Sequence, residues 1–233
     1  MPGDGCHLQR LATTLKVFCP APGRGIIRIV KADCGCAEHE DQGMSVQFQK
    51  HYFNVHEYHR MAEVGLLSED SRVELIEGEI IEMSPIGSTH GGTVNRSSAF
   101  LNRRLGDAVI VSVQNPIRLN DFSEPQPDLA LLKPRKDFYS NSHPTPEDVL
   151  VVIEVADTSV NYDRNVKLPL YARAGIPEAW LMVLKKEVIE VHSREKNGKY
   201  QKVQRMKRGK TLTSPTSPGL SFTIEDLSAR LLG

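Results

Sequence analysis

The chain has 233 residues, 25% of them charged and 39% hydrophobic, and its 29 basic side chains balance 29 acidic ones. That is the composition of an ordinary globular protein with room for one good-sized domain and extensions. No stretch approaches the roughly 18 apolar residues of a membrane span, and zero net charge counts against a nucleic-acid coat protein. The N-terminus has no compact apolar run of secretory type, which points to a cytoplasmic protein.

All four cysteines, Cys6, Cys19, Cys34 and Cys36, fall in the first 36 residues. Cys34, Cys36 and His39 could contribute to a zinc site, but their spacing matches none of the common zinc frameworks. The same stretch lacks periodicity and is rich in Gly and Pro. Residues 1–43 are therefore expected to be a disordered extension or the product of a misplaced start codon. Met44 would then open a single domain over 44–233.

From Asn54 the pattern becomes regular. Asn54 and Glu57 form a capping box, and Val55, Tyr58, Met61 and Ala62 recur at helical spacing until Gly65. RVELIEG and EIIEMS, meeting at Glu77-Gly78-Glu79, predict a hairpin. A second helix is predicted from about Thr89 to Leu105, stopped by Gly106. AVIVSV, PIRL and DLALL read as strands. VLVVIEV is nearly continuous apolar sequence, as in a central strand covered on both faces. Alternation puts Val152, Glu154 and Ala156 on one of its faces and Val151, Ile153 and Val155 on the other. A helical stretch over 160–174 is interrupted by Pro169, which should kink it or start a new turn, and is ended by Gly175. EAWLMVL, VIEVHS and KYQKVQRM are further strands, the last two joined at Asn197-Gly198. Thr223 and Asp226 introduce a short helix through Leu232. The order predicts an α/β (α+β) domain with a mixed β-sheet flanked by helices.

Two of these strands each carry one isolated carboxylate, Asp128 in PQPDLALL and Glu154 in VVIEVAD. A carboxylate in an apolar strand needs a partner or a metal to offset its desolvation. Hydrolysis of a phosphodiester needs an activated water and stabilisation of charge on the phosphoryl oxygens, and a divalent metal supplies both. Mg²⁺, or Mn²⁺, prefers hard oxygen ligands. Asp128 and Glu154 suit that role if their strands are neighbours, and the Val155 carbonyl would add a third oxygen. Lys167 would place a compact positive charge beside the water or the phosphate. Glu74, on the first hairpin, is a further acidic candidate.

Each residue also has a plainer reading. Asp128 follows Pro127 and suits a turn. Lys167 stands four residues after Asp163, as in a surface ion pair. Glu74 could face solvent, and His90 could cap its helix. Trp180 reads as a core anchor, while Asp157 and Asp163 read as loop-to-helix caps. Basic side chains gather at Arg96, Arg103 and Arg104, at Lys133, Arg135 and Lys136, and at 199–210. They form either a phosphate-binding rim or a solvated surface.

Pro127-Asp128, Glu154 and the displaced Lys167 resemble the PD-(D/E)XK nuclease superfamily, and more closely its Uma-type branch of restriction endonucleases, abundant in cyanobacteria. The resemblance rests on RVELIEGEIIEMSP at 72–85 with His90, QPDLALL at 126–132 and VVIEVADTSVNYDRNVK at 151–167. YARAGIPEAWL at 171–181 and SPGLSFTIEDL at 217–227 extend it. It implies a restriction-endonuclease-like core, with Asp128 and Glu154 as metal ligands and DNA as substrate. By analogy it also implies a homodimer, since cutting two strands takes two sites. The superfamily lysine position, two residues after the glutamate, is here Ala156, and Lys167 matches the lysine that the Uma-type branch carries on the next helix. Also open are a non-catalytic DNA-binding scaffold of the same fold, a metal-dependent hydrolase of another phosphate ester, and a zinc module built on the N-terminal cysteines.

Overall fold

The computed structural model describes residues 49–68, 70–216 and 219–227. The expectations for residues 1–43, their cysteines and Met44 lie outside that range.

Helix α1 (Val55–Glu63) begins at the complete Asn54/Glu57 capping box, because the two side chains satisfy amide donors that the first turn leaves free. Strands β1 (Val73–Ile76) and β2 (Glu79–Glu82) pair antiparallel. Their two-residue turn puts both Glu77 and Gly78 at positive φ, the geometry whose twist matches a hairpin. Helix α2 (Ser88–Leu105) ends at Gly106 as predicted.

Six strands form the main sheet in sequence order: β3 (Ile110–Val113), β4 (Leu129–Leu132), β5 (Val149–Ala156), β6 (Glu178–Val183), β7 (Val188–Lys196) and β8 (Lys199–Lys207). Every neighbouring pair is antiparallel except β5 and β6. A parallel pair needs a crossover, and here the crossover holds the interrupted helical stretch. It is not one helix kinked at Pro169. A turn of α-helix, α3 (Val160–Tyr162), passes into a π-helical turn over Asp163–Lys167 and then α4 (Leu168–Arg173). The Leu168 amide bonds the Asp163 carbonyl, five residues back. The disruption thus falls before the proline, which sits in the first turn of α4, where its missing N–H costs nothing.

Two further expectations change. PIRL is not a strand: Ile117 and Leu119 are buried, but their amides bond the Pro125 and Ser123 carbonyls within a loop. Near the end, β9 (Thr211–Thr213) and β10 (Ser221–Thr223) add a small antiparallel pair, too short to register as a periodic pattern. Helix α5 (Ile224–Leu227) opens where Thr223 and Asp226 cap each other. Its predicted extension to Leu232 lies outside the described residues.

The sheet separates two apolar clusters. Val151, Ile153 and Val155 join Trp180, Phe222 and the inner face of α2 on one side. Val152 and Ala156 join Leu168, Tyr171, Ile176 and Leu181 on the other. The faces are those read from alternation along β5. Glu154 lies on the second face among these apolar residues.

Candidate active site

Antiparallel pairing of β4 with β5 sets Leu129 opposite Ile153, so the residue just before β4, Asp128, comes abreast of Glu154. Both line one cleft of about 520 Å³, together with Glu74, His90, Val155, Asp163 and Lys167. Asp128, Glu154, Glu74 and Lys167 therefore converge, although they come from a pre-strand loop, a central strand, a hairpin and a crossover.

Lys167 is the hub. It is 3% exposed, and its Nζ lies 2.9 Å from Glu154 Oε1 and 3.2 Å from Glu74 Oε2. It also donates to the Gln126 carbonyl at 3.3 Å. This is not the surface pair with Asp163 that i,i+4 spacing allows. The wider π turn no longer stacks residues four apart, and the ammonium points inward. Asp163 is itself buried and accepts from the Ser159 hydroxyl at 2.6 Å. Ala156, at the usual superfamily lysine position, is a fully buried core residue, so the cation arrives from the crossover instead.

Glu154 is almost fully buried. The Tyr171 hydroxyl donates to its Oε1 at 2.6 Å, on the same oxygen that meets Lys167, which leaves Oε2 for another partner. Burial raises its pKa well above the usual carboxylate range; Lys167 opposes that shift, while Asp163 and Asp128 add to it. Burial would lower the pKa of Lys167, but Glu154 and Glu74 outweigh it and raise the ammonium's pKa. Glu74 is held by the Gln126 amide at 3.1 Å and faces the Tyr162 hydroxyl at 3.4 Å. It does not face solvent.

Asp128 is fixed differently. Its Oδ2 accepts from the Val155 backbone amide at 2.8 Å and meets His90 Nε2 at 3.0 Å, while Oδ1 accepts from the Gln114 side-chain Nε2 at 3.3 Å. Burial pushes its pKa up, but the His90 bond and the Val155 amide win and leave it below the normal value. The pKa of His90 rises in return, chiefly through the same hydrogen bond. His90 sits in the first turn of α2 but does not cap it; its side chain orients Asp128. Asp128 is likewise more than a turn residue after proline.

The cleft thus gathers Glu74, Asp128, Glu154 and Asp163 around one buried lysine. That is a surplus of hard, anionic oxygen donors, and it fits a divalent ion of the Mg²⁺ or Mn²⁺ type. Apart from His90, Arg72 and Lys167 are the basic side chains along its wall. Several of the basic groups noted in the sequence are tied up elsewhere: Arg96 on the Glu225 carbonyl, Arg135 on Asp137, and Arg205 on Glu190. Trp180 is fully buried against Phe222.

Sequence reasoning missed Tyr171, Tyr162, Gln126 and Gln114. Nothing in the local pattern marks the two tyrosines of the 160–174 stretch or the two glutamines as partners of the carboxylates and the lysine.

Residues 55–225 match the family model described as "Uma2: Putative restriction endonuclease". The chain belongs to this Uma2 family. A solved structure described as a putative nuclease belonging to DUF820 from Anabaena variabilis ATCC 29413 superposes with a TM-score of 0.58. It is 15% identical and covers 75% of this chain and 97% of its own. At that identity the likeness concerns the fold alone, which this Uma2 chain shares over most of that protein's length. No curated protein matches the sequence.

Proposed function

We propose that the chain is a Mg²⁺- or Mn²⁺-dependent endonuclease that hydrolyses phosphodiester bonds in DNA, with its catalytic unit in residues 44–233. The observation that carries this reading is the approach of Asp128 and Glu154 across β4 and β5 in one cleft, with the Lys167 ammonium 2.9 Å from Glu154.

In this reading Asp128, Glu154 and the Val155 carbonyl would hold the divalent ion. A bound Mg²⁺ or Mn²⁺ supplies Lewis acidity toward the phosphoryl oxygens and a water acidified toward neutral pH. The protein supplies the rest. His90 and the Val155 amide fix the Asp128 carboxylate, and Tyr171 fixes that of Glu154. Lys167, held by two carboxylates and a carbonyl, offers its charge to the scissile phosphate or orients the attacking water. Glu74 keeps Lys167 in place. Arg72 lines the cleft wall with its Nη1 on the Ser84 carbonyl and would be the arginine to meet a phosphate. Two strands require two such sites, so we assign the working form as a homodimer and place it in the cytoplasm.

Nicking of supercoiled plasmid tests the assignment, with wild type compared to Asp128→Asn and Glu154→Gln in Mg²⁺, Mn²⁺ and excess chelator. Cleavage should need the metal and fall to background in both variants. No cleavage with any metal, or equal cleavage by Glu154→Gln, would leave a DNA-binding scaffold of the same fold. Competition by small nucleotides or RNA would redirect the substrate assignment.

A further inference from the structure

A second cluster lies outside the cleft. His59 on α1, Glu124 in the loop before β4, and His143 in the loop before β5 bring one ligand atom each to within 4.8 Å of one another. None of the three lines the catalytic cleft. His59 Nε2 is 2.7 Å from Glu124 Oε1, and the His59 and His143 rings meet edge to face at 6.0 Å. Glu124 is 3% exposed, yet its Oε2 is buried without a hydrogen-bond partner. Among the described residues its one ion-pair partner is His59, and no Lys or Arg reaches it.

Such a carboxylate is costly to bury. Its backbone is nonetheless locked in place, because the Glu124 amide bonds the Leu75 carbonyl of β1 and His143 precedes Pro144, whose carbonyl takes the Arg118 amide. Two imidazoles and one carboxylate form a donor set suited to zinc-like transition metals, with a fourth position open. Imidazole is a poor match to Mg²⁺.

We propose that His59, Glu124 and His143 bind one Zn²⁺-class ion, separate from any ion in the cleft. The uncompensated Glu124 oxygen supplies the charge that a dication neutralises. The ion would clip α1 to both loops that flank β4. Glu124 is two residues from Gln126, whose carbonyl and amide hold Lys167 and Glu74, so the clip would stiffen the segment that positions the catalytic lysine.

The test is calorimetric titration of Zn²⁺ into metal-stripped full-length chain with Cys6, Cys19, Cys34 and Cys36 replaced by Ser, which removes competing thiolates. One equivalent should bind, persist in Asp128→Asn, and weaken at least tenfold in both His59→Ala and His143→Ala. His143 is exposed, so its variant keeps the fold and the test remains decisive even if His59→Ala does not fold. Absence of stoichiometric binding, or binding that is unchanged in His143→Ala, would overturn the proposal. So would an equivalent lost only in Asp128→Asn.

Discussion

At the residue scale the cleft is a problem of unequal charge. One lysine serves two carboxylates that are almost fully buried, and their energies cannot be assigned one by one. Replacing Lys167 with Met leaves Glu154 and Glu74 without a cation, and removing one member of a buried pair costs about 3–5 kcal/mol. Lys167→Met should therefore lower the urea unfolding free energy by about that amount. The triple change Glu74→Gln/Glu154→Gln/Lys167→Met should recover much of the loss, because groups in one network are not additive. A triple variant as unstable as the sum of its parts would deny the coupling. The sequence made Asp128 and Glu154 legible because each interrupts an apolar run. Alternation alone does not set Glu154 apart from Glu190, which interrupts β7 and is also buried, or from Glu178, which opens β6. The family resemblance and the cleft distinguish them: Glu154 lines the cleft with Asp128, while the other two are bonded into the scaffold.

At the element scale the decisive piece is the π turn over Asp163–Lys167. A regular 3.6-residue turn would stack Lys167 above Asp163, which is why a surface pair competes with the inward reading in the sequence, and a π turn is not visible in the pattern. The turn is fixed to the sheet by Arg164, whose Nε lies 3.1 Å from Glu190 on β7, and Arg205 on β8 meets the same carboxylate at 3.0 Å. Burial pushes the Glu190 pKa up, but the two arginines outweigh it and leave it below the usual value. A carboxyl whose folded pKa is depressed stabilises the fold above its unfolded pKa of about 4.3, and that contribution disappears as pH falls through the folded value. Wild type should thus be more stable than Glu190→Gln at pH 7, and the difference should shrink as pH falls below the unfolded value of about 4.3 and vanish below the depressed folded value. Urea midpoints across pH give the answer; a constant gap would break the link. Cleavage should weaken with Glu190→Gln as well, since the turn that aims Lys167 is loosened.

At the scale of the whole molecule, the order of strands and helices was largely readable, because capping boxes, Asn-Gly turns and alternation are local signals. The capped start of α5 was readable too, but not how the closing segment is attached. Its attachment depends on Glu178, which is fully buried and accepts from Trp180 Nε1 at 2.6 Å, the Ser214 hydroxyl at 3.0 Å, and the amide and hydroxyl of Thr216 at 3.0 and 2.6 Å. No local pattern reveals a partner 38 residues away. Glu178→Gln turns two acceptor oxygens into one and sets an NH₂ against these donors, which should cost about 2–3 kcal/mol and lower amide exchange protection over 211–223. Unchanged protection there would remove Glu178 as the anchor. Strand β8, last in the sheet, has one side unpaired among the described residues, and its alternating exposed positions include Lys199, Arg205 and Lys207. An open strand edge is a template for another chain, and lysines along it repel that chain. These basic groups thus guard solubility whether or not they meet a phosphate. Replacing Lys199, Lys202 and Lys207 with Thr should produce concentration-dependent self-association by strand addition, visible in light scattering, while plasmid nicking by freshly diluted protein persists.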